Sequence, residues 1–270
     1  MQTAETNFSF SGSIPQYYEA CLGPMFFEPY AIEMAGRIQK LQPLNLLELA
    51  CGTGRLTKHL PAALPQDAVI TATDINPAMM EHARATHAFP GNINWQVADA
   101  LQLPFKDEQF DCIVEQFGVM FYSDKITAYK EAMRLLKPAG VFIFSAWDSL
   151  DNNPVPFNAN KVVNDFFPSD KPAFFHIPFS YYDTAIMHAD LQAAGFKNIS
   201  IEKVNLTGLP TTAEDAAKGS LLGTPLYHFL AKQPPQLVED IIQKLTLHYR
   251  ELFGSPFNAL LRAFVITAVK

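Results

Sequence analysis

The sequence is short of charge, and the charge it carries is mostly negative. Charged residues make up 17 % of the 270 residues, with 20 Lys and Arg against 27 Asp and Glu, for a formal net charge of −7. An acidic chain has no overall positive field to neutralise a phosphate backbone. We therefore expect no nucleic-acid partner.

Cysteine is scarce, and targeting or membrane-spanning segments are missing. Cys21, Cys51 and Cys112 stand at unrelated spacings, and no pair is close enough to predict a metal knuckle. No apolar run approaches the length of a membrane span, and the first residues lack a basic region followed by an apolar one. We expect a reduced, cytoplasmic protein with no metal site and no membrane span.

Aromatic residues are plentiful instead, and they are unevenly placed. Fifteen of the 33 aromatic residues lie in residues 1–30 and 151–182. Two interpretations remain open: they form a second core where extra segments pack on the sheet, or part of them line a pocket for an apolar ligand. They are Phe8, Phe10, Tyr17, Tyr18, Phe26, Phe27, Tyr30, Phe157, Phe166, Phe167, Phe174, Phe175, Phe179, Tyr181 and Tyr182.

Short apolar runs alternate with helix-like stretches from about residue 43 to residue 204. Such alternation is typical of an α/β fold, a parallel sheet covered by helices. The predicted strands are 44–49, 68–73, 93–98, 111–116, 141–146, 199–204 and 263–269. The predicted helices are 55–60, 78–87, 125–136 and 184–194.

Three long segments do not fit this alternation, and connections of their length are uncommon unless they are functional. We predict an N-terminal lid segment at 1–42, a sheet domain at 43–204 and 261–270, and cap insertions at 147–182 and 205–260. Apolar residues at helical spacing in the last insertion fit either a cap helix or a dimer helix. The oligomeric state therefore stays open.

The most informative stretch, residues 46–57, is a strand that runs into a Gly-x-Gly turn and then a helix. Gly52 and Gly54 allow the backbone to approach a ligand closely at the carboxyl end of a first strand. Dinucleotide-binding proteins need a third small residue at the position of Thr57. The turn therefore predicts a ligand site and weighs against a nicotinamide cofactor.

Two aspartates follow this turn at the tips of the next strands. Asp74 lies twenty residues after Gly54, where a carboxylate can accept from both hydroxyls of a ribose. Asp99 ends the third strand, where a side-chain oxygen can accept from an exocyclic amine such as adenine N6. Each aspartate alone fits an ordinary cap or turn residue, but the series after the glycine turn favours a nucleoside site.

The sequence resembles class I S-adenosylmethionine-dependent methyltransferases over about residues 40–204, in particular the group related to ubiquinone and menaquinone biosynthesis methyltransferases. The resemblance rests, in order, on ELACGTG at 48–54, Asp74, Asp99 and Ala100, Phe110 and Asp111, and LLKPAG at 135–140. It implies a Rossmann-like sheet of seven mostly parallel strands with helices on both faces, an antiparallel last strand, and a helical, aromatic cap. Ala139 departs from the family, which commonly has glycine there.

The resemblance also implies S-adenosylmethionine as the cofactor and S-adenosylhomocysteine as its product. It implies that Glu48 and the backbone of Ala50 and Gly52 hold the methionine moiety, with Cys51 and Gly54 in the same loop.

By the same resemblance, Asp74 would bind the ribose and Asp99 the adenine. The resemblance also implies contacts to the adenine, the amino group and the sulfonium, and a tyrosine that covers the site from an N-terminal helix. These residues are Ile75, Met79, Ala100, Leu101, Gln116, Phe117 and either Tyr17 or Tyr18.

The resulting prediction is metal-independent methyl transfer to a small, apolar or aromatic acceptor by in-line displacement. No catalytic base is assigned, because the candidates His176, His228, His248, Tyr17 and Tyr18 are needed only if the acceptor loses a proton. The alternatives are a module that holds S-adenosylmethionine without turnover, methylation of a protein or RNA side chain, and, least favoured, a nicotinamide oxidoreductase.

Overall fold

The computed structural model describes residues 14–87, 89 and 93–270, and it contains the predicted alternation of strands and helices. Predictions for residues 1–13, which include Phe8 and Phe10, lie outside the described residues. The strands are β1 (Asn45–Leu49), β2 (Val69–Asp74), β3 (Ile93–Val97), β4 (Phe110–Gln116), β5 (Leu136–Trp147), β6 (Asn198–Thr207) and β7 (Leu260–Val269).

The strands form one sheet in the order β3-β2-β1-β4-β5-β7-β6. The first five strands are parallel, and β7 lies antiparallel between β5 and β6. The predicted seven-stranded sheet with an antiparallel last strand is therefore confirmed. The order of strand addition reverses between β1 and β4, and a ligand crevice is expected outside the carboxyl ends of strands at such a point.

Helices flank the sheet and form the extra segments. A π-helix at Tyr18–Phe27, which we call the lid helix, follows α1 without a break. The α-helices are α1 (Ile14–Tyr17), α2 (Glu28–Leu41), α3 (Leu60–Ala63), α4 (Pro77–Thr86), α5 (Lys125–Leu135), α6 (Pro154–Phe166), α7 (Thr184–Ala193), α8 (Ala213–Leu222), α9 (Tyr227–Leu230) and α10 (Pro235–Phe253).

Neighbouring residues of the central strands are buried on opposite faces of the sheet. In β1, Leu46 packs in the core that α2, α3 and α4 cover, and Leu47 packs in the core beneath α5 and α7. Because both faces are covered, most residues of β1, β2 and β4 are buried whichever face they lie on. Helices on both faces are thus present as expected.

The helix predicted at 55–60 is wrong. After the glycine turn the chain forms further turns, a 3₁₀ turn at Thr57–His59 and only then the short α3. Pro61 in the first turn of α3 has no N–H to donate, and its ring would clash with a preceding helical turn. The other three predicted helices agree with the structure to within one residue at each end.

The cap insertions begin and end slightly inside the predicted bounds, because β5 includes Trp147, β6 extends to Thr207 and β7 begins at Leu260. The insertions supply α6 and α8–α10, and α8 packs against both α10 and the lid helix. The N-terminal segment is tied to the far edge of the sheet by Tyr30, whose hydroxyl donates to the carbonyl oxygens of Val204 (2.8 Å) and Leu261 (3.1 Å). None of the helices described is both long and apolar enough to cross a lipid bilayer.

The first part of β5 contains a strained residue, between its pairings of Leu136 with Phe110 and of Val141 with Cys112, where the register with β4 shifts. Ala139 has a φ of +64°, in the left-handed region that favours glycine. Its side chain is exposed, so no packing contact compensates for this conformation.

Candidate active site

A cavity of about 570 Å³ lies at the carboxyl ends of β1, β2 and β4, at the predicted crevice. Its walls come from the strand tips, from the lid helix and from both cap insertions. The lining residues named in the sequence analysis are Tyr18, Phe26, Phe27, Ala50, Gly52, Asp74, Ile75, Met79, Asp99, Ala100, Leu101, Gln116, Phe117, Phe174, Phe175 and Phe179.

The glycine turn after β1 forms the floor of the cavity. Ala50 and Gly52 both adopt left-handed conformations, with φ of +50° and +55°. A side chain at Gly52 would meet only the Met79 methyl group, 3.7 Å away, so the backbone is open toward the cavity. Gly52 N also donates to Asp74 Oδ2 at 2.8 Å, which joins the tips of β1 and β2.

Asp74 is the central polar residue of this floor, and only 9 % of its surface is exposed. Besides the bond from Gly52, Oδ1 accepts a bond from Asn76 N at 2.8 Å. Burial raises the pKa of this carboxyl, and backbone N–H donors of Asn76, Gly52 and Ile75 oppose the shift. A carboxylate can accept about four hydrogen bonds, so Asp74 retains acceptor capacity for a ligand hydroxyl.

A slot beside Asp74 is formed by the residues after β3 and at the start of α4. Asp99 Oδ1 accepts from Leu101 N at 2.9 Å, which turns the chain after β3. Met79 is buried, whereas 66 % of the Ile75 side chain is exposed at the rim. The slot therefore combines apolar faces with a carboxylate edge, which suits a flat heterocycle with an exocyclic amine. We call the floor and this slot the polar half.

The end of β4 forms the boundary with the second half of the cavity. Gln116 Nε2 donates to Phe27 O at 2.8 Å, so this side chain binds the lid helix to the sheet. Phe117 has a φ of +57°, and Gly118 N donates to Glu115 Oε1 at 2.7 Å. Burial raises the pKa of Glu115 to about 8.

The second half, which we call the aromatic half, is walled by rings from the lid helix, the end of β5 and the first cap insertion. Phe117 stacks on Trp147, which in turn lies edge-on to Phe26 at 5.8 Å. Two polar side chains in and just after α8 line this half, and both already donate a hydrogen bond within the protein. Ser220 Oγ donates to Ala216 O at 2.8 Å, and Thr224 Oγ1 donates to Ser220 O at 3.2 Å. Among the described residues that line the cavity, the only charged ones are the two aspartates of the polar half.

Four predicted site residues are not among the described lining residues: Tyr17, Glu48, Cys51 and Gly54. Glu48 is 1 % exposed, and burial raises its pKa to about 8, although hydrogen bonds from Thr57 oppose the shift. Cys51 packs in the core beside α2, and Gly54 packs against Phe89 and Ala83.

The lid tyrosine that lines the cavity is Tyr18 and not Tyr17. The histidines considered as bases, His176, His228 and His248, also lie outside the described lining, and His248 Nε2 is hydrogen-bonded to Asn158 Oδ1 at 2.9 Å.

Sequence reasoning missed two groups of lining residues. Met120 and Phe121 lie in the 3₁₀ turn after β4, and Tyr122 follows that turn directly. Their position just after a strand tip could have marked them as candidate site residues. Ser220 and Thr224 reach the cavity only because α8 packs on the lid helix, which no local pattern indicates.

Comparison with known proteins identifies relatives over most of the chain. The sequence profile of the methyltransferase domain family matches residues 47–144. The ubiquinone/menaquinone biosynthesis C-methyltransferase UbiE of Proteus mirabilis (strain HI4320) is 30 % identical over 195 residues, covering 66 % of this chain and 74 % of the relative. UbiE of Serratia proteamaculans (strain 568) is 31 % identical over 179 residues, covering 61 % of this chain and 70 % of the relative.

Solved structures share the fold at low sequence identity. The YcgJ protein of Bacillus subtilis aligns with a TM-score of 0.57 and 18 % identity, covering 88 % of this chain and 98 % of that one. Haemonchus contortus phosphoethanolamine N-methyltransferase 2, in complex with phosphomonomethylethanolamine and S-adenosylhomocysteine, aligns with a TM-score of 0.61 and 14 % identity, covering 98 % of this chain and 59 % of that one. With its match to the C-methyltransferases over more than two thirds of their length, this chain belongs to the class I S-adenosylmethionine-dependent methyltransferases, whose cofactor is S-adenosylmethionine.

Proposed function

We propose that this methyltransferase transfers the methyl group of S-adenosylmethionine to a small, uncharged, aromatic or otherwise apolar acceptor. The observation that carries the proposal is the division of one cavity into a polar half with two aspartates and an aromatic half without charge among its described residues. The two halves are continuous, so a donor in one can reach an acceptor in the other.

The residues of the polar half fit S-adenosylmethionine by their chemistry. The remaining acceptor capacity of Asp74 suits a ribose hydroxyl, and Asp99 at the slot edge suits the adenine amine. The open backbone at Gly52 leaves room for the methionine moiety next to the tip of β4. We propose that Ala50, Gly52, Asp74, Ile75, Met79, Asp99, Ala100, Leu101, Gln116 and Phe117 bind the cofactor, with Tyr18 over it.

We propose that Glu48, Cys51 and Gly54 support the cofactor without touching it. Glu48 packs behind the turn, where its backbone oxygen accepts from Thr73 Oγ1 at 2.9 Å and so joins β1 to β2. These residues would shape the glycine turn, and the turn would contact the ligand.

When bound, S-adenosylmethionine supplies a methyl group activated by its sulfonium. The protein has to align the acceptor with that methyl group and to keep water out of the site. Phe117 at the boundary, Trp147 behind it and the lid rings are placed to do both, because they form an apolar wall around the place where the two halves meet. We propose that the segments 1–42, 147–182 and 205–260 act together as this cover.

The acceptor is expected to carry no charge. The Haemonchus enzyme was solved with a phosphorylated amine, but no Lys or Arg lines the aromatic half in the part of this chain that the structure describes. Burying an unpaired phosphate there would be strongly unfavourable. The UbiE relatives are named for quinone biosynthesis, and a ring of that kind would pack well between aromatic walls.

The acceptor is also expected to need no side-chain base. Burial raises the pKa of the Tyr18 and Tyr122 hydroxyls above the usual value, so both stay protonated at neutral pH and cannot accept a proton. An electron-rich ring carbon or a neutral nitrogen can bond to the methyl group first and release its proton to water in a later step, so either suits such a site better than a phenol oxygen that must ionise during transfer.

Methyl transfer from methyl-labelled S-adenosylmethionine to a panel of acceptors tests the proposal. The panel would contain hydroquinones and phenols and, as charged controls, fatty acids and phosphoethanolamine. We expect label in the uncharged ring compounds and none in the fatty acids or phosphoethanolamine. Preferred labelling of phosphoethanolamine, or of a protein or RNA acceptor offered in parallel, would refute the assignment of the aromatic half.

A further inference from the structure

One arginine joins the glycine turn to the lid helix. Arg55 follows Gly54 directly and is only 8 % exposed. Its guanidinium is ion-paired with the Glu19 carboxylate and donates to Glu19 O at 3.1 Å, and Nη1 donates to Glu28 Oε2 at 2.9 Å. Glu19 lies in the first turn of the lid helix and Glu28 directly after its end, so Arg55 holds both ends of that helix.

Other groups from the cofactor side complete this cluster. Thr53 Oγ1 donates to Glu19 Oε2 at 2.8 Å, and Lys58 Nζ and His59 Nε2 lie 2.7 Å and 2.8 Å from the Glu28 carboxylate oxygens. His87 Nε2 lies 3.4 Å from Glu19 Oε1. The lid helix and the start of α2 therefore contribute one carboxylate each, and the cofactor side contributes the positive charge.

The opposite side of the lid helix is held by close backbone packing. A side chain at Gly219 of α8 would come within 3.1 Å of Cys21 Cβ, and one at Gly223 within 3.0 Å of Tyr18 N. These two glycines allow α8 to lie directly against the lid backbone. The lid helix is thus enclosed between the charged cluster and α8, while Tyr18, Leu22, Phe26 and Phe27 line the cavity.

We propose that Arg55 is a positioning residue that latches the lid helix over the bound cofactor, and that cofactor exchange requires the Arg55–Glu19 ion pair to open. The proposal rests on the cofactor assignment made above. It follows from the geometry, because the same short stretch that forms the cofactor turn also holds the helix whose side chains cover it. Mutating either partner should therefore change the rates of cofactor entry and exit more than the equilibrium affinity.

The test measures S-adenosylhomocysteine binding by stopped-flow tryptophan fluorescence. Trp147 lies 5.8 Å and 6.0 Å from the Phe26 and Phe27 rings, so it reports on lid movement, and a Trp95→Phe background removes the second tryptophan. We expect Glu19→Gln and Arg55→Gln each to raise the association and dissociation rate constants about tenfold, with less than a threefold change in Kd. The double variant should exchange no faster than the faster single variant, because both changes break one contact.

Two further variants separate a latch from a merely structural role. Arg55→Lys keeps the charge but can reach only one carboxylate, so its exchange rates should lie between those of the wild type and Arg55→Gln. Arg37→Gln breaks a more exposed ion pair, Arg37 to Glu33 at 2.9 Å and to Glu202 at 3.0 Å, and should leave the rates unchanged.

A lower melting temperature with unchanged exchange rates would overturn the latch and leave a structural role. Additive effects of Glu19→Gln and Arg55→Gln would also overturn it. If the wild type itself failed to bind S-adenosylhomocysteine, the cofactor assignment would be wrong. This result can be told apart from unchanged exchange rates and from additive effects, because both of those require a wild type that binds.

Discussion

The rings of Phe117 and Trp147 stack in parallel, with centroids 3.8 Å apart and an angle of 3° between their planes. One ring follows the tip of β4 and the other ends β5, so the stack fixes two neighbouring strand ends at the boundary of the two cavity halves. The boundary between the two halves of the cavity is therefore attached to the central sheet.

Replacing Trp147 should impair acceptor binding more than cofactor binding. Trp147→Phe keeps a ring but shortens the stack, and we expect the KM for an uncharged aromatic acceptor to rise about two- to tenfold, as expected for loss of one aromatic pair. Steady-state kinetics would measure this change, and calorimetry with S-adenosylhomocysteine should show little change. Trp95→Phe is the matched control, since Trp95 packs on Phe89 outside the described lining of the cavity. Equal effects of the two substitutions would contradict the prediction.

Removing the carboxylate of Asp74 should weaken cofactor binding. Asp74→Ala deletes the predicted acceptor of the ribose hydroxyls, and we expect a loss of about 1–3 kcal/mol in the affinity for S-adenosylmethionine by calorimetry. Asp67→Ala, at an exposed aspartate in the turn before β2, serves as the control and should bind normally. Unchanged affinity in Asp74→Ala, or tighter binding of NAD than of S-adenosylmethionine by the wild type, would exclude this assignment.

Much of the polar half could be predicted because the signals are local. Asp74 and Asp99 follow apolar strands, and parallel strands bring their carboxyl ends to one edge of the sheet. Glu48 is predicted to hold the methionine moiety, but no sequence pattern reveals how far a strand-end carboxylate is buried, and this one is 1 % exposed. The sequence also left Tyr17 and Tyr18 as alternatives, because one residue along a helix rotates a side chain by about 100°, and of the two Tyr18 lines the cavity.

The aromatic half was only partly predictable. The abundance of aromatic residues is visible in the composition. Which part of the cap insertions packs against the lid helix, however, depends on contacts between segments some two hundred residues apart in sequence. The close approach of Gly219 to Cys21 is such a contact. Local patterns carry no information about it.

Stability should fall as the pH rises from about 5 to about 8. Burial raises the pKa of Glu115 to about 8, so the folded protein retains a proton on this carboxyl that the unfolded chain releases near its ordinary pKa. Between these two values one such group lowers the free energy of unfolding by about 1.4 kcal/mol per pH unit at most. Urea unfolding at several pH values should therefore show a flatter pH dependence for Glu115→Gln than for the wild type. Glu81→Gln, at an exposed position on α4, should keep the wild-type slope, and equal slopes in all three proteins would contradict the prediction.

Glycine at position 139 should stabilise the protein. Ala139 is exposed and held at a φ of +64°, and glycine removes the steric penalty of the left-handed conformation. We expect Ala139→Gly to raise the free energy of unfolding by about 0.5–1 kcal/mol after the greater entropy of the unfolded glycine chain is counted. Ala85→Gly, at an exposed position within α4, should lower it by about 1 kcal/mol. Thermal or urea unfolding of both variants would check that the two substitutions change the free energy of unfolding in opposite directions.

The position of β7 in the sheet has a consequence for how the protein is made. Within the described residues β6 pairs with no strand except β7, and β7 also pairs with β5. Residues 198–207 therefore have no sheet partner until residues 260–269 have left the ribosome. The cofactor floor, built from β1, β2 and β4, can assemble while the chain is still being synthesised, but the edge to which Tyr30 anchors the N-terminal segment cannot. The polar half of the cavity should thus form first and the aromatic half should close last.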